Sequence, residues 1–361
     1  MGIALLAGLV LLATSGGHGI WSLDSRAGVQ KNHTAPTPRI GGIAVLAGVL
    51  AGWAYSPSEA SQNLLCGLIL AGMPAFTFGL AEDLSEQVSV RARLLATMSC
   101  GVLGYLFTGH SIAVVQVPGL DWLLGFTLLS VAFTALAVSG VANAINIIDG
   151  MNGLACGSVI IILGSFALMS QALGDAALMQ TCLVLGAATL GFMPLNWPAG
   201  KLFLGDGGAY FLGFGVAWVA VLLLCRHPEI SAWAPLLVCS FPVLEVLFSV
   251  RRRYRRGRPI DAPDRLHLHS LVKRRLVRRL LPNSSRLARN SATGAAMWGV
   301  GLVPAYIAFH CYTNTPALAL GLALFALMYF VVYTRLVRFR WCFWSCFGNR
   351  LQRIFFEGYL K

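Results

Sequence analysis

Residues 203–225 read FLGDGGAYFLGFGVAWVAVLLLC, an apolar run whose only charged residue is Asp206, near its beginning. Crossing about 30 Å of hydrocarbon as an α-helix takes roughly 20 apolar residues. The run therefore predicts a membrane-spanning helix. Asp206 lies between glycines at its start, where the free N–H groups of a helix favour an anion such as phosphate.

The composition of the whole chain agrees with this segment. Of the 361 residues, 57% are hydrophobic and 11% are charged, and the mean hydropathy is +0.71. Soluble proteins carry about 25% charged residues. The sequence therefore predicts an all-α, polytopic integral membrane protein in which residues 1–361 form a single membrane domain.

Apolar runs of spanning length recur eleven times. The first has no positively charged beginning, so it is interpreted as a span and not as a signal peptide. The predicted spans lie near residues 2–21, 40–55, 63–81, 94–109, 122–140, 153–172, 177–195, 203–225, 232–250, 294–312 and 315–334.

Lys and Arg in the connections predict the orientation. They concentrate after the odd-numbered spans, whereas the connections after the even-numbered spans carry only Arg226. Since cytoplasmic connections are enriched in Lys and Arg, the amino terminus is predicted outside and the carboxyl terminus inside. The connection 139–152 has neither residue type, and its cytoplasmic placement rests on alternation.

Nearly all of the net charge of +13 lies in residues 251–292, a predicted basic cytoplasmic loop with fourteen Lys and Arg against Asp261 and Asp264. Such a loop is expected in a membrane protein, so no nucleic-acid partner is predicted. It would also attract anionic phospholipid or phosphate-bearing substrates. Residues 335–361 are basic and aromatic and are interpreted as a cytoplasmic interfacial segment.

Four polar motifs fall on the predicted cytoplasmic side. Carboxylate and amide oxygens at the ends of spans are ligands that Mg²⁺ accepts while it keeps waters and substrate phosphate oxygens. The motifs are AEDLS (81–85), NAINIIDGMNG (143–153), LNWPAGKLFLGDGG (195–208) and APDRLHLHS (262–270).

The acids and amides of the first three motifs could bind a cation or act as a base. Asn146, Asp149 and Asn152 recur every three residues, so on a helical turn they would share one face. The alternative for this segment is an Asn- and Gly-rich cap of the sixth span. A divalent cation bridging Asp206 and a phosphate would remove the repulsion between the two anions.

Three other features leave alternatives open. His267 and His269 lack enough partners for zinc, so phosphate binding or proton transfer is favoured, with positive neighbours lowering the histidine pKa values. Glu245 lies inside the ninth span, where an acid is a functional candidate, but pairing with an Arg of 251–253 is at least as good an explanation. Segment 33–42, with Arg39, is explained by a rigid Pro- and Gly-containing loop.

Taken in order, PTPRIGG (36–42), GLAEDLS (79–85), NAINIIDGMNG, FLGDGG (203–208) and DRLHLHS (264–270) resemble the motifs of the polyprenyl-phosphate N-acetylhexosamine-1-phosphate transferases. The resemblance runs from about residue 26 to 275. It implies transfer of an N-acetylhexosamine 1-phosphate from a UDP-sugar to undecaprenyl phosphate, with release of UMP. It further implies Mg²⁺, with Mn²⁺ as an alternative, and a multi-pass protein of the bacterial cytoplasmic (inner) membrane that starts an envelope glycan such as O-antigen.

The resemblance assigns roles to individual residues. The matched catalytic positions are Asp83, Glu82, Asp149, His267 and His269; the metal positions are Asp206 and Asn146; and the substrate-binding positions are Asn152, Asn196, Arg265, Arg93 and Arg39. Three positions depart from the usual pattern. Glu82 and Asn152 stand where Asp is common, and Ser270 stands where a third His often follows.

Two other functions are compatible with the sequence. The transferase that joins phospho-N-acetylmuramoyl-pentapeptide to the lipid shares the acid motifs, although the DRLHLHS and PTPRIGG forms favour the simple hexosamine donor. A polytopic transporter is less favoured, because no internal repeat is evident and the polar groups gather at one face. For the transferase, direct attack by the lipid phosphate competes with a phospho-aspartate on Asp83, and analogy allows a homodimer.

Overall fold

The computed structural model describes residues 1–22, 37–255, 257 and 266–338, and these residues are helical with short connections. The all-α prediction is confirmed for this part of the chain. A π-helical turn, Lys273–Val277, joins α13 to α14. The helices are α1 (Gly2–Ala13), α2 (Ser15–Ser22), α3 (Gly41–Ala54), α4 (Glu59–Ser85), α5 (Val90–Thr108), α6 (Leu120–Leu124), α7 (Thr127–Ile148), α8 (Leu154–Ala172), α9 (Ala176–Asn196), α10 (Gly205–Arg226), α11 (Trp233–Val238), α12 (Ser240–Arg255), α13 (Leu268–Val272), α14 (Arg278–Leu280), α15 (Arg286–Cys311) and α16 (Thr315–Val337).

Eight of the described helices are long and apolar enough to cross a membrane, as expected of a multi-pass membrane protein. They are α4, α5, α7, α8, α9, α10, α15 and α16. The other three predicted spans coincide with shorter helices. Span 2–21 corresponds to α1 and α2, span 40–55 to α3, and span 232–250 to α11 and α12. The count of eleven spans and the orientation of the termini stay predictions.

Helix α10 is the centre of the bundle. Nearly every one of its residues is buried, and it packs against α4, α7, α3 and α8. A helix that is apolar on all sides is expected in such a position. Its glycines let neighbouring backbones approach closely, which is how helices commonly pack in membranes.

The closest approaches lie at the beginning of α10. A Cβ atom on Gly79 of α4 would stand 2.6 Å from the backbone of Gly207. On another side, Gly41 and Gly42 donate backbone hydrogen bonds to Phe203 (2.9 Å) and Leu204 (2.8 Å). These contacts place the end of α4 and the start of α3 directly against the start of α10.

The other end of α10 is tied to the beginning of α9. Arg226 donates to the two carboxyl oxygens of Asp175 at 2.7 and 3.1 Å, and Nε2 of His227 lies 3.0 Å from the same carboxyl. Asp175 also caps α9 by accepting from the backbone N–H of Leu178 at 3.0 Å. Helix α10 is thus held by a carboxyl-centred cluster at its carboxyl-terminal end.

The basic segment 251–292 is not simply a loop. Helix α12 continues to Arg255, and residues 268–280 form a continuous run of helical turns. In this run Leu268, Leu271, Val272 and Val277 are buried. Their spacing is that of an amphipathic helix, which the high density of Lys and Arg obscures in the sequence.

Substitution of Gly79 by Ala tests the close approach of α4 to α10. The added methyl has no room beside the backbone of Gly207, so we expect a loss of about 1–3 kcal/mol, which is typical of overpacking. Thermal unfolding of the purified protein in detergent measures this. Gly164→Ala is the matched control, because a Cβ at Gly164 of α8 meets nothing within 4 Å. Equal midpoints for the two variants would contradict the packing described here.

Candidate active site

Residues from four separate segments meet at the end of the bundle where α10 begins. They come from the end of α4, from the connection between α7 and α8, from the first turn of α10, and from the segment that leads into α13. Three of these segments carry acids and the fourth carries the two histidines. The predicted gathering of the four motifs is therefore observed in the described residues.

The carboxyl of Asp83 caps helix α10 from a different helix. Its Oδ1 accepts from the backbone N–H of Asp206 at 2.9 Å, and its Oδ2 accepts from that of Gly207 at 2.9 Å. Only 1% of the Asp83 side chain is exposed. The N-cap position of α10, Leu204, has no capping side chain, and helix N-termini need acceptors for their first N–H groups. Asp83 supplies them and fixes Asp206 relative to α4.

Two arginines offset the charge of the acids. Arg93 forms a very short ion pair with Asp206, and its guanidinium also lies 3.8 Å from Glu82. Arg39 lies 3.7 Å from Asp83 and 3.6 Å from Asp206. The predicted substrate-binding arginines therefore contact the predicted catalytic and metal-binding acids. Of the two, Arg39 is the more exposed.

Glu82 is held by the turn that follows α4. Its Oε2 accepts from the backbone N–H of Val88 at 2.8 Å, while Oε1 faces Arg93. Glu82 therefore stabilises this turn and the orientation of Arg93. Its side chain is partly exposed, in contrast to that of Asp83.

Asp149 differs from the other acids. It caps the carboxyl end of α7, and in the described part of the chain its carboxyl has neither a hydrogen bond nor an ion pair. Burial raises the pKa of Asp149, and the nearby carboxyl of Asp206 raises it further. A deeply placed acid with a like charge beside it is a site for either a proton or a cation.

The predicted helical face of Asn146, Asp149 and Asn152 is wrong. Helix α7 ends at Ile148, and Gly153, with φ of 73°, begins α8 from a left-handed conformation. Asn146 thus lies in the last turn of α7, while Asn152 lies in the connecting turn. The alternative, an Asn- and Gly-rich cap, describes this segment better, because glycine readily adopts the positive φ that the turn requires.

Asn152 and Asn196 make internal hydrogen bonds. Asn152 accepts from Asn290 at 2.8 Å and donates to Ser291 at 3.3 Å, which joins the turn to α15. Asn196 accepts from the backbone N–H of Gly153 at 2.6 Å and donates to the carbonyl of Leu202 at 3.0 Å. Both amides are buried. Their assignment to nucleotide binding stays a prediction.

Glu245 holds the histidine motif. Its Oε2 lies 3.2 Å from Nδ1 of His267, and its Oε1 accepts from the backbone N–H of Leu268 at 2.8 Å. The expected pairing of Glu245 with an Arg of 251–253 is wrong. Helix α12 runs on to Arg255, and the buried residues of α13 bring the histidines onto Glu245 instead.

The second histidine reaches the turn after α7. A Cβ atom on Gly150 would lie 3.1 Å from Nε2 of His269, so this ring stands beside the turn at Gly150. Burial lowers the pKa of His269 to about 4, with smaller contributions from His267 and Lys273, while Glu245 opposes the shift. The predicted direction is correct, but burial is a larger cause than positive neighbours. His269 is therefore neutral at pH 7.

Sequence reasoning assigned no site role to Tyr210, Asn290 or Ser291. Tyr210 follows Asp206 by one helical turn and lies beside Asn146 and Arg93. Its spacing from Asp206 is the only signal in the sequence. Asn290 and Ser291 have no such signal, because nothing in the basic segment indicates which residues face the turn at Asn152. Arg265 lies outside the described residues.

Oxygen ligands for a cation are present in this site. Among the residues that the structure describes, no group of three His, Cys, Asp or Glu side chains is arranged to hold a metal. The available donors are instead Asp206, Asn146 and the unpartnered carboxyl of Asp149. This set fits Mg²⁺, which prefers oxygen and keeps several waters and substrate oxygens as ligands.

Comparison with known proteins agrees with this arrangement. The family model described as glycosyl transferase family 4 matches residues 65–224, which contain the acids of α4, the turn after α7 and the start of α10. Over these residues the chain is similar to this family. The match stops before Glu245 and the two histidines, so the family model alone does not cover the whole site.

Several curated relatives extend over a longer part of the chain. A probable undecaprenyl-phosphate N-acetylglucosaminyl 1-phosphate transferase of Bacillus subtilis is 30% identical over 241 residues, 66% of either chain. A decaprenyl-phosphate N-acetylglucosaminephosphotransferase of Mycobacterium leprae is 27% identical over 66% of either chain. An undecaprenyl-phosphate alpha-N-acetylglucosaminyl 1-phosphate transferase of Escherichia coli K12 is 27% identical over 70% of this chain and 69% of its own. The first two alignments thus cover just under two thirds of those relatives.

The pKa of His269 predicts a pH-dependent stability. The folded value of about 4 lies below the ordinary value of 6.5, so the unfolded chain takes up this proton first as the pH falls. The contribution to stability is complete above pH 6.5 and is lost between pH 6.5 and 4, by about 3 kcal/mol at most. We expect His269→Gln to flatten the fall of the unfolding midpoint over this range.

Thermal unfolding at a series of pH values checks this, with His310→Gln as the control. His310 is exposed near the end of α15, so its substitution should leave the pH profile as in the parent protein. If His269→Gln leaves the pH dependence of the unfolding midpoint as unchanged as His310→Gln does, His269 is not the group that titrates.

Proposed function

We propose that the protein transfers an N-acetylhexosamine 1-phosphate from a UDP-sugar to undecaprenyl phosphate and releases UMP. The observation that carries the proposal is the convergence of Asp83, Asp149, Asp206 and two arginines at one end of an apolar helical bundle. The relatives described above support the proposal, because their names describe transfers of this kind. Phosphoryl transfer depends chiefly on positioning and on neutralising negative charge, and these residues offer both.

The acceptor is expected to approach from the bilayer. A polyprenyl chain would lie in the hydrocarbon while its phosphate stays at the interface, where the ends of α4 and α7 and the start of α10 are expected. The distribution of Lys and Arg favours the cytoplasmic side of a bacterial inner membrane for this end. The UDP-sugar is charged and water-soluble, so it would reach the same site from the cytoplasmic water phase.

Asp206, Asn146 and Asp149 would hold Mg²⁺, or Mn²⁺ in its place. When bound, such an ion supplies positive charge and orientation to a diphosphate. The unpartnered carboxyl of Asp149 supports this assignment, since a cation beside it would remove its repulsion with Asp206. Arg39 and Arg93 add two guanidinium groups that can neutralise phosphate oxygens and bind them through paired hydrogen bonds.

A direct reaction fits Asp83 better than a covalent one. In the direct reaction an oxygen of the lipid phosphate attacks the β-phosphorus of the UDP-sugar, and UMP leaves. A nucleophilic Asp83 would have to give up one of its two bonds to the first turn of α10 and leave a buried N–H without an acceptor. Asp83 is therefore proposed to fix Asp206 in place, with the lipid phosphate itself as the nucleophile.

His269 is proposed to bind the donor as a neutral imidazole. Its Nε2 faces the turn at Gly150, next to Asp149, where a neutral ring can donate or accept one hydrogen bond. The proposed product starts an envelope glycan such as O-antigen. A muramoyl-pentapeptide donor is the alternative, and the N-acetylglucosaminyl names of the relatives favour the simple sugar.

Release of UMP by the purified protein tests the reaction. With undecaprenyl phosphate, Mg²⁺ and a panel of UDP-N-acetyl sugars, we expect lipid-dependent UMP from one sugar and none after chelation of the metal. Asp206→Asn should lower the rate by at least about 100-fold, because it removes a full charge from a site that works by electrostatics. Asp175→Asn, the same chemical change at the other end of α10, should keep the rate within about twofold. UMP release that persists in EDTA would disprove the metal assignment, and no UMP from any sugar would disprove the proposed donor class.

Isotope exchange separates the direct reaction from the covalent one. A phospho-aspartate on Asp83 would exchange labelled UMP into UDP-sugar in the absence of lipid, whereas direct transfer predicts no exchange. We expect no exchange, and we expect Asp83→Asn to lower the unfolding midpoint by an amount equivalent to about 1–3 kcal/mol, the cost of one buried N–H without an acceptor. Lipid-independent exchange that disappears in Asp83→Asn would establish the covalent route.

A further inference from the structure

We infer that Glu245 is a positioning residue for His267 and His269, and that it fixes the proton of His267 on Nδ1. The inference rests on the proposed function for its kinetic consequence, but its structural content can be tested separately. Glu245 lies on α12, outside the segment that the family model matches, and the sequence offered an ion pair with arginine as its explanation.

Glu245 contacts the histidine segment at three points. Its Oε2 lies within hydrogen-bond distance of Nδ1 of His267, at 3.2 Å. Its Oε1 accepts a hydrogen bond from the backbone N–H of Leu268 at 2.8 Å. Nδ1 of His269 lies 3.9 Å from the same carboxyl, too far for a hydrogen bond. The carboxyl is 1% exposed, so it is committed to this segment and not to solvent.

The two imidazole rings are held as a parallel pair. Their planes differ by 2° and their centroids are 5.3 Å apart. Each ring turns its Nδ1 edge toward Glu245, and in His269 the opposite Nε2 edge meets the turn at Gly150. One buried carboxyl on α12 thus sets the direction in which His269 presents its Nε2 to the active site.

The hydrogen bond also decides which nitrogen of His267 carries the proton. An ionised carboxylate only accepts, so the bond at 3.2 Å requires a proton on Nδ1 of His267. Carboxylates fix the tautomer and orientation of histidines in this way in catalytic triads and in metal sites. Glu245 would act on the reaction through His267 and not by touching a substrate.

The acid cluster at the other end of α10 shows what a purely structural carboxyl looks like in this fold. Asp175 also accepts from a backbone N–H and contacts a histidine, but Arg226 pairs with both of its oxygens. In the described part of the chain, Glu245 has no Lys or Arg ion pair. Its partners are imidazole and backbone, and the hydroxyl of Tyr329 lies nearby.

The first arm of the test is spectroscopic and needs no activity. The full-length protein in detergent is labelled with ¹⁵N-histidine, and the His267 signals are assigned by their loss in His267→Gln. We expect protonated Nδ1 in the parent protein. In Glu245→Gln we expect the proton on Nε2, because the amide that replaces one oxygen donates to Nδ1 while the other oxygen still accepts from Leu268. An unprotonated Nδ1 of His267 in the parent protein would overturn the inference whatever the kinetics show.

The second arm is kinetic and uses UMP release. Glu245→Gln should lower kcat by about 10–100-fold, as loss of a carboxylate behind a functional histidine commonly does. The unfolding midpoint should stay close to that of the parent, since the shape and the bond to Leu268 are kept. In a His267→Gln background, Glu245→Gln should add less than about twofold, because coupled residues are not additive. Asp175→Asn is the matched carboxyl-to-amide control and should leave kcat unchanged.

The outcomes distinguish the inference from the proposed function. An active parent protein whose kcat is unaffected by Glu245→Gln, or is affected equally with and without His267, would overturn the inference and leave the function standing. An inactive parent protein would overturn the proposed function, and the tautomer of His267 would still decide the role of Glu245.

Discussion

The site depends on the contact between the carboxyl of Asp83 and the backbone N–H groups of Asp206 and Gly207 in the first turn of α10. It joins the end of α4 to the start of α10, whose own N-cap residue supplies no side-chain acceptor. Because the same turn carries Asp206, the bond sets the distance between the two acids and the position from which Arg39 and Arg93 reach them. Gly79 makes the contact sterically possible, since it lets the α4 backbone lie against Gly207.

Charge balance within the site follows from this geometry. Arginines lie within ion-pair distance of Glu82, Asp83 and Asp206. Among the described residues Asp149 has no arginine at that distance, although the charge of Arg39 partly opposes the rise of its pKa. Because Asp149 lacks a positively charged partner, the site is suited to a bound cation. A phosphate could bind beside Asp149 only together with such a cation. The neutral His269 beside the turn at Gly150 adds hydrogen-bonding capacity without adding charge.

Much of the architecture was predictable from the sequence, because long apolar runs have few alternatives to a helix in lipid. The gathering of the acids at one end followed from their places at the ends of runs. The internal partners of these residues could not be predicted in the same way. That Asn152 bonds Asn290, or that Glu245 bonds His267, depends on how α15 and α13 pack, and these helices lie in a basic segment whose amphipathic pattern is weak. The helical face proposed for Asn146, Asp149 and Asn152 failed because three-residue spacing does not show where a helix ends.

Helix α10 is fixed at both ends by carboxyl groups from other helices, Asp83 at its start and Asp175 at its finish. One added residue between these two points would turn one end by about 100° relative to the other and shift it by about 1.5 Å. The two clusters could then not both keep their partners. The number of residues between Asp206 and Arg226 is therefore a fixed dimension of this protein, although single apolar side chains within that interval can be exchanged for others of similar volume.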